Sequence, residues 1–191
     1  MLFEYFTEVG FAINASVAEQ LFTAILTDTG QFRYGSTSRR TMEIAGQLIE
    51  AGAKTQKICD MVYFNLQPSR MMLTGKVLNS IEFHNQQQIC LLTLTQKMLA
   101  ESEANDADSD GLVDYTLYNV GVQVGALLKE IGPESTKVSL RSRNGINVSE
   151  IAARFGGGGH YNASGCTIPM ALEQARKELI KILTEAIEAN R

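Results

Sequence analysis

Val148-Ser149-Glu150-Ile151-Ala152-Ala153-Arg154-Phe155 runs straight into Gly156-Gly157-Gly158-Gly159-His160, and Ala163-Ser164-Gly165-Cys166-Thr167-Ile168 follows two residues later. The first stretch reads as a short helix and the last as a small-residue strand, so the glycines are bracketed by regular structure. A flexible linker would mix in serine and other polar residues and would not be held so closely at both ends. Consecutive glycines let the backbone take positive φ and approach a ligand with no Cβ in the way. Successive amide N–H groups in such a loop can line an anion-binding concavity. His160 at the exit, and Arg141-Ser142 on a strand just upstream, add donors suited to phosphate. The stretch is neither a G-K-[ST] phosphate loop nor a G-x-G-x-x-G turn opening a helix.

Outward from this stretch, the pattern from about residue 69 alternates strands and helices. Strands are expected near 80–84, 88–95, 121–128, 136–142 and 163–168, with Asn85-Gln86-Gln87 turning between the first two. A closing amphipathic helix from about Ala171 to Ala189 turns Leu172, Ala175, Leu179, Ile182, Leu183 and Ile187 inward. The first 66 residues read differently. Ser16-Val17-Ala18-Glu19 has the form of a capping box before a helix with Val17, Leu21, Phe22, Ile25 and Leu26 at helical spacing. A second helix is expected from Ser36-Thr37-Ser38, with Met42, Ala45, Leu48 and Ile49 on one face and Gly52 ending it. A third begins near Thr55 and buries Ile58, Met61 and Val62. Leu66-Gln67-Pro68-Ser69 marks a boundary, with Ser69 as the cap of the next helix. Helices almost without strands need a partner surface for their apolar faces, so this segment reads as a piece of something larger.

Composition narrows the function. The chain has 191 residues, 45% of them hydrophobic, and a net charge of −4. That leaves no broad basic surface for duplex nucleic acid, so an anionic ligand needs a local site. Cys59, Cys90 and Cys166 are scattered and odd in number, which fits reduced, buried packing thiols rather than a disulfide framework or a zinc site. The N-terminal residues, interrupted by Glu4 and Glu8, lack a signal-peptide pattern, and apolar runs fall short of the ~20 residues of a membrane span. A cytoplasmic protein is the expectation.

Asp106-Ala107-Asp108-Ser109-Asp110-Gly111 opens like an EF-hand, but the twelfth position is Leu117 instead of a bidentate glutamate, and calcium is rejected. The acidic run instead suits the start of a helix at Leu112. Asp28, in Thr27-Asp28-Thr29-Gly30 at the end of an apolar helix, has two readings. It can satisfy backbone N–H groups in the turn, or it can offer a carboxylate to a metal, with Gly30 permitting close approach. His84, Arg39-Arg40 and Met71-Met72 read as packed or solvated residues.

At this point the chain resembles a known family. Arg141-Ser142, Asn147-Val148-Ser149-Glu150-Ile151-Ala152, Phe155-Gly156-Gly157-Gly158-Gly159-His160 and Ala163-Ser164-Gly165 look like the signature of the DHH-associated domain, the substrate-binding C-terminal domain of DHH phosphoesterases. Asp110-Gly111-Leu112-Val113-Asp114 and Gly121-Val122-Gln123-Val124 resemble that domain's middle portion. Upstream, Leu26-Thr27-Asp28-Thr29-Gly30-Gln31-Phe32-Arg33-Tyr34 is similar to the last catalytic motif of the DHH domain itself. The closest subgroup is the nano-RNase/oligoribonuclease and 3′-phosphoadenosine 5′-phosphate phosphatase type, some members of which carry the label exopolyphosphatase-related. The Asp-rich strand motif and the Asp-His-His motif of the catalytic domain are absent here.

The resemblance implies an α/β fold: a helical remnant of a parallel-sheet DHH domain over 1–66, a connecting stretch at 67–76, and a compact α+β DHH-associated domain with a mixed sheet over 77–191. It implies a phosphoesterase with two Mn²⁺ ions (Mg²⁺ is possible) between the domains. Asp28 matches a metal ligand and catalytic residue. Gly157, Gly158, Gly159 and His160 match the grip on a substrate phosphate, and Arg141 and Ser142 the grip on the nucleotide backbone. The expected partners are short single-stranded oligonucleotides or small nucleotides, with a homodimer or other association through the incomplete DHH segment and no membrane. A single carboxylate cannot assemble a two-metal site, so this chain alone is expected to recognise nucleotides and to hydrolyse them little or not at all. The alternatives are a nucleotide-binding module without catalysis, and an enzyme for cyclic dinucleotides or polyphosphate.

Overall fold

The computed structural model describes residues 2–33, 35–143 and 145–190; Tyr34 of the upstream motif lies outside them. The chain divides into two compact units, Met1–Leu66 and Gln67–Arg191.

Among the described residues the first unit contains four helices: α1 (Leu2–Glu8), α2 (Ala15–Asp28), α3 (Arg39–Glu50) and α4 (Thr55–Tyr63). Its core gathers Phe3, Ala18, Phe22, Leu26, Ile44, Ala45, Leu48 and Ile58. The cap of α2 is Asn14, whose side chain accepts from Val17 N–H at 3.1 Å. Ser16 therefore lies inside the first turn, and Glu19 reaches across to Lys57 instead of closing a capping box. Helix α3 does carry a capping box, built by Ser38 and Thr41. Its buried face is Ile44, Ala45 and Leu48, while Met42 and Ile49 stand half exposed. In α4 only Ile58 is buried, and Met61 and Val62 face outward. The expected faces were wrong by part of a turn. An apolar periodicity marks what a helix can bury, and here several of those side chains have nothing to bury against.

The second unit is built on one mixed sheet in the order β1-β2-β3-β4-β6-β5. The strands are β1 (Glu82–His84), β2 (Ile89–Leu94), β3 (Val124–Gly132), β4 (Ser135–Ser142), β5 (Gly158–His160) and β6 (Ala163–Ile168). Only β2 and β3 run parallel; every other neighbouring pair is antiparallel. Strand β3 starts three residues later than expected because Gly121, at φ +85°, belongs to the preceding turn. Helix α5 (Pro68–Leu78) places Pro68 in its first turn with Gln67 as cap, so Ser69 is inside the helix. Met71 and Met72 on its surface are exposed rather than packed. Short helices α6 (Gln96–Glu101) and α7 (Val148–Ala153) and the closing α8 (Leu172–Ala189) complete the unit.

One face of the sheet is covered over β2, β3, β4 and β6. Ala175, Leu179, Ile182, Leu183 and Ile187 of α8 pack with Ile89, Leu91, Val124, Ala126, Leu128, Val138, Leu140, Cys166 and Ile168. The other face is covered only in part. Leu92, Leu94 and Leu127 meet Leu73 and Val77 of α5, Leu99 of α6, and Leu112 and Val113 of a 3-10 segment, Leu112–Tyr118. Strand β2 is accordingly buried on both faces, whereas β4 alternates buried and accessible residues and β5 is exposed throughout. That alternation is what a half-covered sheet requires. The open part of the sheet, over β4, β6 and β5, is where the Arg141 and His160 motifs meet. Among the described residues, no helix is long and apolar enough to cross a membrane.

Candidate functional site

The glycine run is a helix stop followed by an edge strand, not the loop expected from its composition. Gly156 takes φ +71° and closes α7, and Gly157 N–H reaches back to the Ala152 carbonyl at 3.0 Å. From Gly158 the chain pairs with β6. Two of the glycines are required by close backbone approach. A Cβ on Gly157 would lie 2.3 Å from the Gly165 carbonyl oxygen, and one on Gly159, at φ +146°, would lie 2.6 Å from that of Ala163. Gly158 has open space where a Cβ would be. It leaves a bare backbone surface beside His160.

Register decides what shares this surface. Arg141 pairs with Ala163, and Ala163 pairs with His160, so the three side chains sit on one rung and one face. At about 4.8 Å between strands, the backbones of Arg141 and His160 are roughly 10 Å apart, with the Ala163 methyl group between them. Gly165 and Gly158, one step along, continue the shallow floor. Period 2 along β4 puts Ser139 and Lys137 on the same face. Ser142 has the opposite parity: its hydroxyl is buried, donates to the Ile146 carbonyl at 2.6 Å and lies 3.3 Å from Asn162 Oδ1. It braces the loop between β4 and α7.

Arg141 is held ready. Its Nε donates to Asp114 Oδ1 at 2.8 Å and its Nη1 to the Leu140 carbonyl at 3.0 Å, with the side chain 30% exposed. The 3-10 segment can bring Asp114 there because Gly125 lets it lie directly on β3: a Cβ at Gly125 would stand 1.7 Å from Thr116 Oγ1. Beside Arg141, a polar cavity of about 130 Å³ is lined by Asp106, Ser109, Lys129, Lys137 and Ser139 among others. Lys129 is buried there and pairs with Asp106 and the Ser109 hydroxyl. The hydrogen bond from Lys129 holds the Asp106 carboxyl below the usual carboxylate range. Asp106 and Asp108 are thus committed to local bonds, Asp108 accepting from Asn105 N–H at 2.9 Å. Sequence reading missed Lys137 and Ser139, although counting back from Arg141 in twos would have found them. Nothing in the sequence signalled the Asp114–Arg141 bond, which spans 27 residues.

Asp28 belongs to the first unit. The turn that follows it is fixed by its neighbour: the buried Thr29 accepts from Phe32 N–H at 3.0 Å and donates to the Ile25 carbonyl at 2.7 Å. Gly30, Gln31 and Phe32 all take left-handed φ. The reading of Asp28 as the turn's acceptor is therefore corrected to Thr29. The Asp28 carboxylate is exposed, with no bond to a described residue, at the side of an apolar groove of about 840 Å³ that Leu21, Ile25, Ile44 and Arg40 help to line.

The residues present do not fit a complete two-metal centre. Each Mn²⁺ takes about six N or O ligands, waters included. Among the described residues no three His, Cys, Asp or Glu side chains come together. The cysteines do not help: burial pushes the Cys90 thiol up to about 11 and raises that of Cys166, so both stay neutral, and Cys59 is only partly buried.

The DHHA1 domain family matches residues 86–189, which takes in the whole sheet from β2 onward and α8. The bifunctional oligoribonuclease and PAP phosphatase NrnA of Thermus thermophilus is 33% identical over 94% of this chain and 53% of its own length. The A-adding tRNA nucleotidyltransferase of Aquifex aeolicus is 30% identical over 95% of this chain but only 22% of its own length. The crystal structure of an exopolyphosphatase-related protein from Bacteroides fragilis superimposes with a TM-score of 0.87 at 31% identity, over 98% of this chain and 54% of that one. The chain spans about half the length of the NrnA relatives it matches.

Proposed function

The chain belongs to the DHHA1 domain family, and from that premise we propose that its second unit is the nucleotide-recognition part of a cytoplasmic phosphoesterase acting on short oligonucleotides and small nucleotides such as 3′-phosphoadenosine 5′-phosphate. The observation that carries this reading is the single rung Arg141–Ala163–His160 on the uncovered sheet face. Two donors on one rung, two strands apart over a small-residue floor, suit a terminal phosphate and the linkage beside it. Gripping a chain end in this way favours very short substrates. The roles of Gly157 and Gly159 in this proposal are architectural: they let β5 lie close enough to β6 for His160 to share the rung. Gly158 supplies the bare floor, and Ser142 fixes the adjoining loop. The names of the NrnA relatives support the substrate class.

Hydrolysis belongs to the proposal for a complete enzyme. There Mn²⁺ or Mg²⁺ would activate water and offset the charge developing on phosphorus, with Asp28 as one ligand and the rest supplied from outside the residues described. Self-association through the first unit, whose Met42, Ile49, Met61 and Phe64 are exposed, is part of the same proposal.

Incubating the chain with a 5′-labelled, 5′-phosphorylated RNA dinucleotide, with and without Mn²⁺, tests both halves. Binding should be measurable without Mn²⁺ and should weaken by roughly ten- to a hundredfold in His160→Ala, the scale of one charge-assisted hydrogen bond. Cleavage should stay at background. Mn²⁺-dependent turnover that Asp28→Ala abolishes would contradict the division of labour, and binding indifferent to His160→Ala would contradict the site.

A further inference from the structure

The uncovered sheet face carries two rungs with basic side chains and a bare rung between them. On the first, Arg141 and His160 flank Ala163. The next pairs Ser139 with Gly165 and Gly165 with Gly158, so nothing larger than a hydroxyl rises from it across those three strands. On the third, Lys137 stands between Lys129 of β3 and Thr167 of β6. Like charges directly opposite one another on a sheet are unfavourable, and only one of these two lysines has a carboxylate bonded to it. Lys129 is buried and gives its ammonium to Asp106 and to the Ser109 hydroxyl. Lys137 is exposed and makes no hydrogen bond or ion pair to a described residue.

Lys137 and Arg141 are four residues apart on β4, about 13 Å along the strand backbone, yet both line the polar cavity of about 130 Å³, together with Ser139. That volume is several times the roughly 30 Å³ share of one water molecule and has room for a phosphate group. Donors on these side chains are uncommitted. Arg141 gives Nε to Asp114 and Nη1 to the Leu140 carbonyl, which leaves Nη2 with no bond to a described residue, and the Ser139 hydroxyl likewise has none. Of the charged side chains lining the cavity, Lys129, Lys137 and Arg141 are cations, against the carboxylates of Asp106 and Asp110. Asp106 is already taken by Lys129. We infer that Lys137, with Ser139 beside it, is a further phosphate subsite, which takes the linkage one nucleotide beyond the one held by Arg141. The sugar between them lies over the bare rung of Ser139, Gly165 and Gly158. The proposal rests on the recognition reading given above and gives it a direction, from His160 across to Arg141 and then along β4. Beyond Lys137 the strand begins at Ser135, and the turn before it, Pro133-Glu134, carries a carboxylate and no cation, so the track stops there.

Two probes on the full chain test this, a 5′-phosphorylated adenosine dinucleotide and the corresponding trinucleotide, both without Mn²⁺. The unaltered chain should bind the trinucleotide roughly three- to tenfold tighter, the range between an exposed charge pair and one charge-assisted hydrogen bond. Lys137→Ala should erase that difference and leave dinucleotide binding unchanged, which also shows that the variant is folded. Its slope of log binding constant against log salt should fall by about 0.7 for the trinucleotide alone, the share of one phosphate on a single strand. Lys137→Arg should keep the difference. His160→Ala should weaken both probes. The subsite is wrong, and the recognition reading stands, if His160→Ala weakens both probes while the unaltered chain binds them equally or Lys137→Ala keeps the preference. The subsite is equally wrong if Lys137→Ala weakens both probes by the same factor, which would make Lys137 a support for Arg141. If His160→Ala leaves both probes unchanged, the recognition reading fails and the subsite fails with it.

Discussion

Gly157→Ala is expected to lower the stability of the second unit by about 1–3 kcal/mol or more and to abolish nucleotide binding together with it. The added methyl would stand 2.3 Å from the Gly165 carbonyl oxygen and 2.7 Å from Cys166 Cα. Both are backbone atoms of β6, a strand locked between β4 and β5, so no flexible side chain can move aside. Overpacking at a site that cannot relax has this cost. Here the relaxation open to the chain is for β5 to lift off β6. That would carry His160 away from the Arg141 rung. Gly158→Ala is the matched control. It has open space for the methyl and no left-handed φ, so its denaturation midpoint should stay close to that of the unaltered chain. Its binding should fall modestly, because the methyl rises from the floor beside His160. Urea denaturation followed by circular dichroism, with dinucleotide binding on the same samples, separates the two variants. Equal midpoints for both would mean that β5 is not held as closely as the glycines suggest.

Arg141→Ala is expected to weaken binding of a 5′-phosphorylated dinucleotide by roughly ten- to a hundredfold, the range of lost charge-assisted hydrogen bonds. Arg141→Lys should restore little. A lysine ammonium cannot keep the Asp114 bond with one nitrogen while turning others in a planar fork toward an anion. The salt dependence carries independent information. If Arg141 meets a phosphate, the slope of log binding constant against log salt should fall by about one in Arg141→Ala. An unchanged slope with weaker binding would mean that Arg141 acts through Asp114 on the 3-10 segment Leu112–Tyr118 rather than on the ligand.

Much of the second unit could be read from sequence because its elements are buried in regular patterns. The inward residues of α8 from Ala175 to Ile187 are those of its apolar periodicity. The alternation of β4 reports a sheet with one face open. The glycine run was legible as chemistry but not as conformation. Composition says that a backbone can approach closely, and only the partner strand decides that Gly157 and Gly159 use this freedom against β6 rather than against a ligand. Parity also separates Arg141 from Ser142, which adjacency in sequence had grouped. The first unit was read less well. Ser16 matched a capping box, yet Asn14, two residues earlier, took the cap. Met42, Ile49, Met61 and Val62 are spaced for burial and are not buried. The 3-10 segment that brings Asp114 to Arg141 gave no signal at all. A seven-residue 3-10 segment shows no period long enough to notice, and its place beside Arg141 depends on a glycine in another element.

The uncovered face of β4, β6 and β5 is proposed as the nucleotide-binding surface. It is tested most directly by ¹H–¹⁵N spectra of the ¹⁵N-labelled chain titrated with a 5′-phosphorylated adenosine dinucleotide. The amides of Arg141, Gly158, Gly159, His160 and Ala163 should shift together with one dissociation constant, and the Arg141 Nε–H signal should move with them. Saturable binding that leaves these signals in place, and shifts others such as those of α2 around Asp28, would contradict it.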